Sequence, residues 1–155
     1  MIRVHVWAED KTLPIHEKKM RELYPTGIHG AIAAFIAAQA DMAVTSAVLA
    51  DPEQGLSSQV LAGTDVLVFW SHKHWRELND ETAERVQKAV LEGMGIIFLH
   101  SAHASKIFAR LMGTRTQSLR WREADERQRY WIVAPSHPIT QGLQGEFFDV
   151  PMDET

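Results

Sequence analysis

From Ile2 to Trp7 apolar and polar residues alternate and β-branched types are frequent, the period-two pattern of a strand. Ala8 to Pro14 is polar and reads as a loop at its carboxyl end. Ile15 to Tyr24 predicts a short helix with Met20 and Leu23 on one face, broken by Pro25-Thr26-Gly27. Ile28 to Ala40 is alanine-rich and helical in period, with Ile28, Ile32, Phe35 and Ile36 forming the inward stripe. Met42 to Val48 predicts a second strand, Asp51 to Gly55 a loop and Leu56 to Leu61 a helical turn. Asp65 to Trp70 is a nearly unbroken apolar run, as expected of a strand covered by helices on both faces. Asp80 to Glu92 is the clearest helix: Asn79 is suited to cap it, and Val86, Ala89, Val90 and Met94 form its buried stripe. Ile96 to Leu99 gives a fourth strand, and Ser105 to Met112 a helix that packs Ile107, Phe108 and Leu111.

The order β-α-β-α-β-α-β-α with right-handed crossovers predicts an α/β fold, a doubly wound parallel sheet. After Gly113 the pattern changes to strand-like pieces, Ser118 to Arg122 and Tyr130 to Ala134, separated by the charged run Glu123 to Arg129. That stretch predicts a hairpin or a strand extension.

The 155 residues suffice for one domain with a real core, and 45% hydrophobic content argues against disorder. The absence of cysteine excludes disulfides, thiolate metal sites and a cysteine nucleophile, and fits a cytoplasmic setting. A net charge of −4, with eight histidines counted neutral, lacks the footprint of a nucleic-acid binder. There is no signal-peptide pattern and no apolar run of membrane-spanning length, so no membrane partner is expected. No Gly-rich phosphate loop is present, which speaks against NAD and ATP.

The chemistry gathers at strand ends. Val66 to Trp70 runs into Ser71-His72-Lys73-His74, and Ile96 to Leu99 runs into His100-Ser101-Ala102-His103. In an open α/β sheet the carboxyl edge is where ligands bind. If the two strands are neighbours, their ends lie roughly 5 Å apart and the imidazoles can converge. His72, His100 and His103 are also candidate ligands for zinc, although His-x-x-His outside a helix is a weak signal. Ser101 stands where a strained strand-to-helix turn would expose a nucleophile, but the flanks are not Gly-x-Ser-x-Gly, and a helix cap is the bland alternative. The amides of Ala102 and His103 are candidates to bind an anion or a developing oxyanion.

Trp121-Arg122-Glu123 offers an aromatic platform with a guanidinium and a carboxylate, a combination that suits sugars. Its bland alternative is a solvated turn. Trp70 and Glu146 complete the candidate substrate-binding set. Gly145 to Asp149 otherwise reads as a strand with Phe147 and Phe148 in the core. Of the other histidines, His5 is expected to face away from the core and His29 to lie on a helix surface. His16 and His137 carry no assignment.

These stretches together resemble the ThuA-like (trehalose-utilisation) family. The resemblance rests on Val68-Phe69-Trp70-Ser71-His72, on Leu91 to Gly95 leading to Leu99-His100-Ser101-Ala102-His103, and on Ser105-Lys106-Ile107-Phe108. Leu111-Met112-Gly113-Thr114, Trp121 to Glu126 and Gly145 to Pro151 extend it over essentially the whole chain. It implies a flavodoxin-like sandwich similar to class I glutamine amidotransferases, whose nucleophilic cysteine sits at the turn after this fourth strand. Here that turn carries His100 and Ser101, so thiolate-dependent glutaminase chemistry is excluded.

The family pattern has a second histidine three residues after the position of His72. Trp75 stands there and His74 one place earlier, which weakens a metal site built on that pair. The chain also resembles a version of the fold shortened at its carboxyl end and by a short gap near Leu143 to Gly145. Such a domain would leave an apolar face exposed and favour a homo-oligomer. The resemblance implies a carbohydrate-related enzyme acting on a disaccharide or oxidised sugar derivative. His100 is then the general acid/base or a ligand, with His72 as its partner and Ser101 beside them; His103 is a ligand or anion donor, Arg122 a substrate clamp and Glu123 a carboxylate orienting substrate or imidazole. The alternative is a non-catalytic sugar- or metal-binding module.

Overall fold

A computed structural model describes residues 1–10, 17–114 and 123–154. The chain forms two compact units, Met1–Gln117 and Ser118–Thr155.

In the first unit, β1 (Ile2–Ala8) is followed by α1 (Glu17–Leu23), α2 (Gly27–Ala37) and β2 (Met42–Val48). Then come α3 (Ser58–Ala62), β3 (Val66–Trp70), α4 (Asp80–Leu91), β4 (Gly95–Phe98) and α5 (Lys106–Met112). The sheet order is β2-β1-β3-β4, all parallel. The neighbouring of β3 and β4 expected from the sequence is present, with Phe69 paired to Phe98.

Alternation along the strands divides the core. Val4, Val6 and Val68 face α2, where they meet Ile32, Ala33 and Ile36. Trp7, Leu67 and Phe69 face the other way, among Leu56, Leu61, Val86 and Ile107. Trp7 and Phe69 stack with centroids 4.5 Å apart. Helices therefore cover both faces, which is why β3 shows no polar alternation. Each large side chain fully buried here contributes roughly 1.5–3 kcal/mol.

Three local expectations are corrected. Phe35 is 75% exposed, because the α2 stripe that reaches the sheet is Ile32, Ala33 and Ile36. Asn79 occupies the N-cap position of α4 without a side-chain cap bond; its amide instead donates to Gln54 Oε1 at 2.8 Å. His5 is buried rather than turned outward. A sheet covered on both sides has no solvent face, so His5 satisfies its ring internally. Its Nε2–H donates to the Gly55 carbonyl (3.1 Å), and its Nδ1 accepts from the Thr45 hydroxyl (2.8 Å).

The second unit is an antiparallel ribbon of β5 (Glu123–Trp131) and β6 (Phe147–Glu154). The predicted strand Ser118 to Arg122 lies outside the described residues. The charged run that was expected to separate strands is itself β5. One of its charges is matched across the ladder: Arg129 opposes Asp149 and donates to both carboxylate oxygens at 2.8 and 3.0 Å. Phe147 and Phe148 are part-exposed rather than core residues, packing against Trp131 and Tyr130 respectively.

Candidate functional site

Strand order decides where a crevice can form. The chain places β2 on one side of β1 and β3 on the other, so the segments leaving β1 and β3 diverge. Such a topological switch point is the standard ligand position in open α/β sheets. A crevice of about 1100 Å³ lies there. Asp10 after β1 lines it, together with Trp70, His72, Lys73 and His74 at and after β3, Thr26-Gly27-Ile28 at the start of α2, and residues of α1. The site was expected between β3 and β4; this crevice lies one strand over.

Glu9 organises this edge. It is 1% exposed, and its carboxylate accepts from the Ser71 hydroxyl (2.9 Å) and the amides of Lys73 (2.8 Å) and His74 (3.0 Å). One acid on β1's end therefore fixes the loop that presents His72 and His74. Gln54 holds the far end of the same loop: its amide donates to the Glu77 carbonyl at 2.8 Å and its Oε1 accepts from Asn79. Between these two clamps lies the short 3-10 turn Trp75–Glu77.

His74 is half-buried, and its Nδ1 lies 2.6 Å from Glu77 Oε1. A carboxylate only accepts, so Nδ1 carries the proton and Nε2 keeps its lone pair in the neutral ring. That Nε2 is shielded from solvent and has no hydrogen-bond partner. His72 is exposed and lies against the Trp70 indole, with ring centroids 6.2 Å apart. In α2 the His29 imidazole is half-buried, correcting the surface assignment, with Nδ1 3.7 Å from Asp10 Oδ1. Gly27 makes this approach feasible: its φ is +76°, and a Cβ there would lie 2.6 Å from both Asp10 Oδ1 and His29 Cε1.

At the end of β4, His100 is exposed and Ser101 is buried, with Ser101 Oγ 3.2 Å from His100 Nδ1. Ser101 has φ +74°, a left-handed conformation unusual for a residue with a Cβ. It makes no side-chain cap bond; Ser105 caps α5 by accepting from the Phe108 amide. The oxyanion role expected of Ala102 fails, because its amide donates to the Leu99 carbonyl at 3.0 Å. His103 follows in the 3-10 turn Ala102–Ala104. Neither His100, Ser101 nor His103 is among the residues lining the crevice.

Among the described residues no three His, Asp or Glu side chains are grouped to hold a metal ion. His72, His100 and His103 do not form such a group. Trp121 and Arg122 lie outside the described residues. Glu123 begins β5 and Glu146 precedes β6, both in the second unit. A smaller cavity of about 470 Å³ borders His5, Thr45, Asp51 and Gly55. Burial pushes the His5 imidazole below its ordinary value, against the pull of the Gly55 hydrogen bond and the Asp51 charge. Among the described residues no helix is long and apolar enough to cross a membrane.

Sequence reasoning passed over Glu9, Asp10 and Glu77, and gave His74 no role. The available signal was the acid pair directly after the first strand, at the edge where ligands bind. No curated protein matches the chain. A model of the family described as ThuA, trehalose utilisation, matches residues 3–155.

Proposed function

The chain belongs to the ThuA family, trehalose utilisation, and from that premise we propose that it is an enzyme acting on a disaccharide or an oxidised sugar derivative, bound at the carboxyl edge of the sheet. The observation that carries this reading is the crevice at the β1/β3 switch point, where the half-buried Trp70 face stands beside His72, Asp10 and Lys73. An indole receives the apolar C–H face of a sugar, while imidazole, carboxylate and ammonium groups hydrogen-bond its hydroxyls in the ring plane.

His100 and Ser101 form a hydrogen-bonded pair on the neighbouring strand end, suited to exchanging a proton with substrate, and His72 is proposed as the partner of that pair. Trp121, Arg122, Glu123 and Glu146 are proposed, separately, as sugar-binding residues of the second unit. The protein is taken to work in the cytoplasm as a homo-oligomer, without nucleic acid.

Purified protein is incubated with trehalose and its keto derivative, and conversion is followed by chromatography. The expected result is turnover that falls at least about 100-fold in His100→Ala, the usual scale for loss of an acid–base group, with thermal stability nearly unchanged. A large stability loss with normal turnover would reverse the assignment. The position of His100 and Ser101 outside the crevice lining favours a second reading, a sugar-binding module without turnover. It predicts saturable binding by calorimetry and no conversion after long incubation. Zinc near one equivalent in untagged protein would turn that module into a metal-binding one.

A further inference from the structure

We infer that His74, backed by Glu77, is a proton-accepting dyad of the crevice. The inference rests on the reading of that crevice as a sugar site. Four observations carry it. His74 lines the crevice. Its Nδ1 is 2.6 Å from the Glu77 carboxylate, which fixes the tautomer and leaves the lone pair on Nε2. That Nε2 is dry and unpartnered, although buried polar atoms are almost always paired. And the loop bearing the dyad is held at both ends, by Glu9 at the amides of Lys73 and His74 and by Gln54 at Glu77 and Asn79.

A carboxylate behind an imidazole whose second nitrogen is unpartnered and whose backbone is fixed is the arrangement of a general base, once the bound sugar displaces the atoms that shield that nitrogen. In the step, a sugar O–H bond breaks and an Nε2–H bond forms. The electron pair stays on the sugar oxygen, and the imidazolium is stabilised by Glu77. Glu77 is a positioning residue. The other charged or titratable groups lining the crevice are Asp10, Glu17, Arg21, His72, Lys73 and Tyr24. Asp10 and Lys73 come from the same sheet edge.

The test combines ring ¹⁵N NMR of the wild-type protein with the kinetics of two variants on trehalose and its keto derivative. The neutral His74 ring is expected as the Nδ1–H tautomer with bare Nε2, shifting toward Nε2–H in Glu77→Ala. His74→Gln is expected to lower kcat at least about 100-fold with KM changed less than about threefold. Glu77→Ala is expected to give a smaller loss in kcat. An Nε2–H tautomer in the wild-type protein, or His74→Gln with kcat within about threefold of wild type, overturns the inference. If the wild-type protein converts neither sugar, the sugar reading fails separately. The tautomer then still decides the dyad: Nδ1–H upholds it and Nε2–H removes it.

Discussion

Removing the Glu9 carboxylate would leave one hydroxyl and two amides without their acceptor. Each buried donor left without a partner costs about 1–3 kcal/mol. Glu9→Ala is therefore expected to lose about 3 kcal/mol or more in urea unfolding, a large share of a typical domain's stability. A loss below about 1 kcal/mol would mean that water replaces the carboxylate without penalty. Ser101 behaves differently. Its left-handed backbone costs about 1 kcal/mol with a Cβ present, and glycine removes that strain while adding comparable unfolded-state entropy. Ser101→Gly is expected to leave stability within about 1 kcal/mol while lowering turnover through loss of the hydroxyl beside His100. A loss of several kcal/mol with full turnover would make the residue structural.

At the scale of elements, two titratable contacts tie β1 to its neighbours. His5 joins β1 to β2 through Thr45 and to the following turn through Gly55. Its folded form resists protonation, so below its ordinary value of 6.5 the unfolded chain binds more protons than the folded one. Stability is expected to fall as pH drops from about 7.5 toward 5, a slope read from urea midpoints and reduced in His5→Gln. An unchanged slope in that variant would place the titration elsewhere. Arg3 on β1 meets Asp65 before β3, and its guanidinium and backbone amide hold that carboxyl down to about 2. The contribution is present above the carboxyl's ordinary value and lost as pH falls through about 2. Because the pair is exposed, its contribution is small and weakens with salt.

The strands were legible because burial on both faces writes continuous apolar runs: Asp65 to Trp70 and Ile96 to Leu99 lie within one residue of β3 and β4. The α4 stripe was equally plain, with Val86 buried as its period required and Met94 buried in the turn that follows. The site was legible only in its location. Glu9 looks like any loop acid until the fold closes Ser71, Lys73 and His74 around it. His74 gained no role because its significance lies in Glu77, three residues on, and in the dryness of one nitrogen. β5 was misread as a divider because hydropathy does not register a carboxylate waiting across the ladder.

Across the whole molecule, a doubly wound parallel sheet in the order β2-β1-β3-β4 opens one edge between β1 and β3, and the family match extends over both compact units. Function is ascribed to that edge rather than to any one histidine. Chemical-shift mapping with trehalose and its keto derivative tests this most directly. The account predicts saturable shifts at the Trp70 indole, at His72 and His74, and at Gly27 on the facing wall. Shifts confined to the β5–β6 ribbon, or none at saturating sugar, would contradict it.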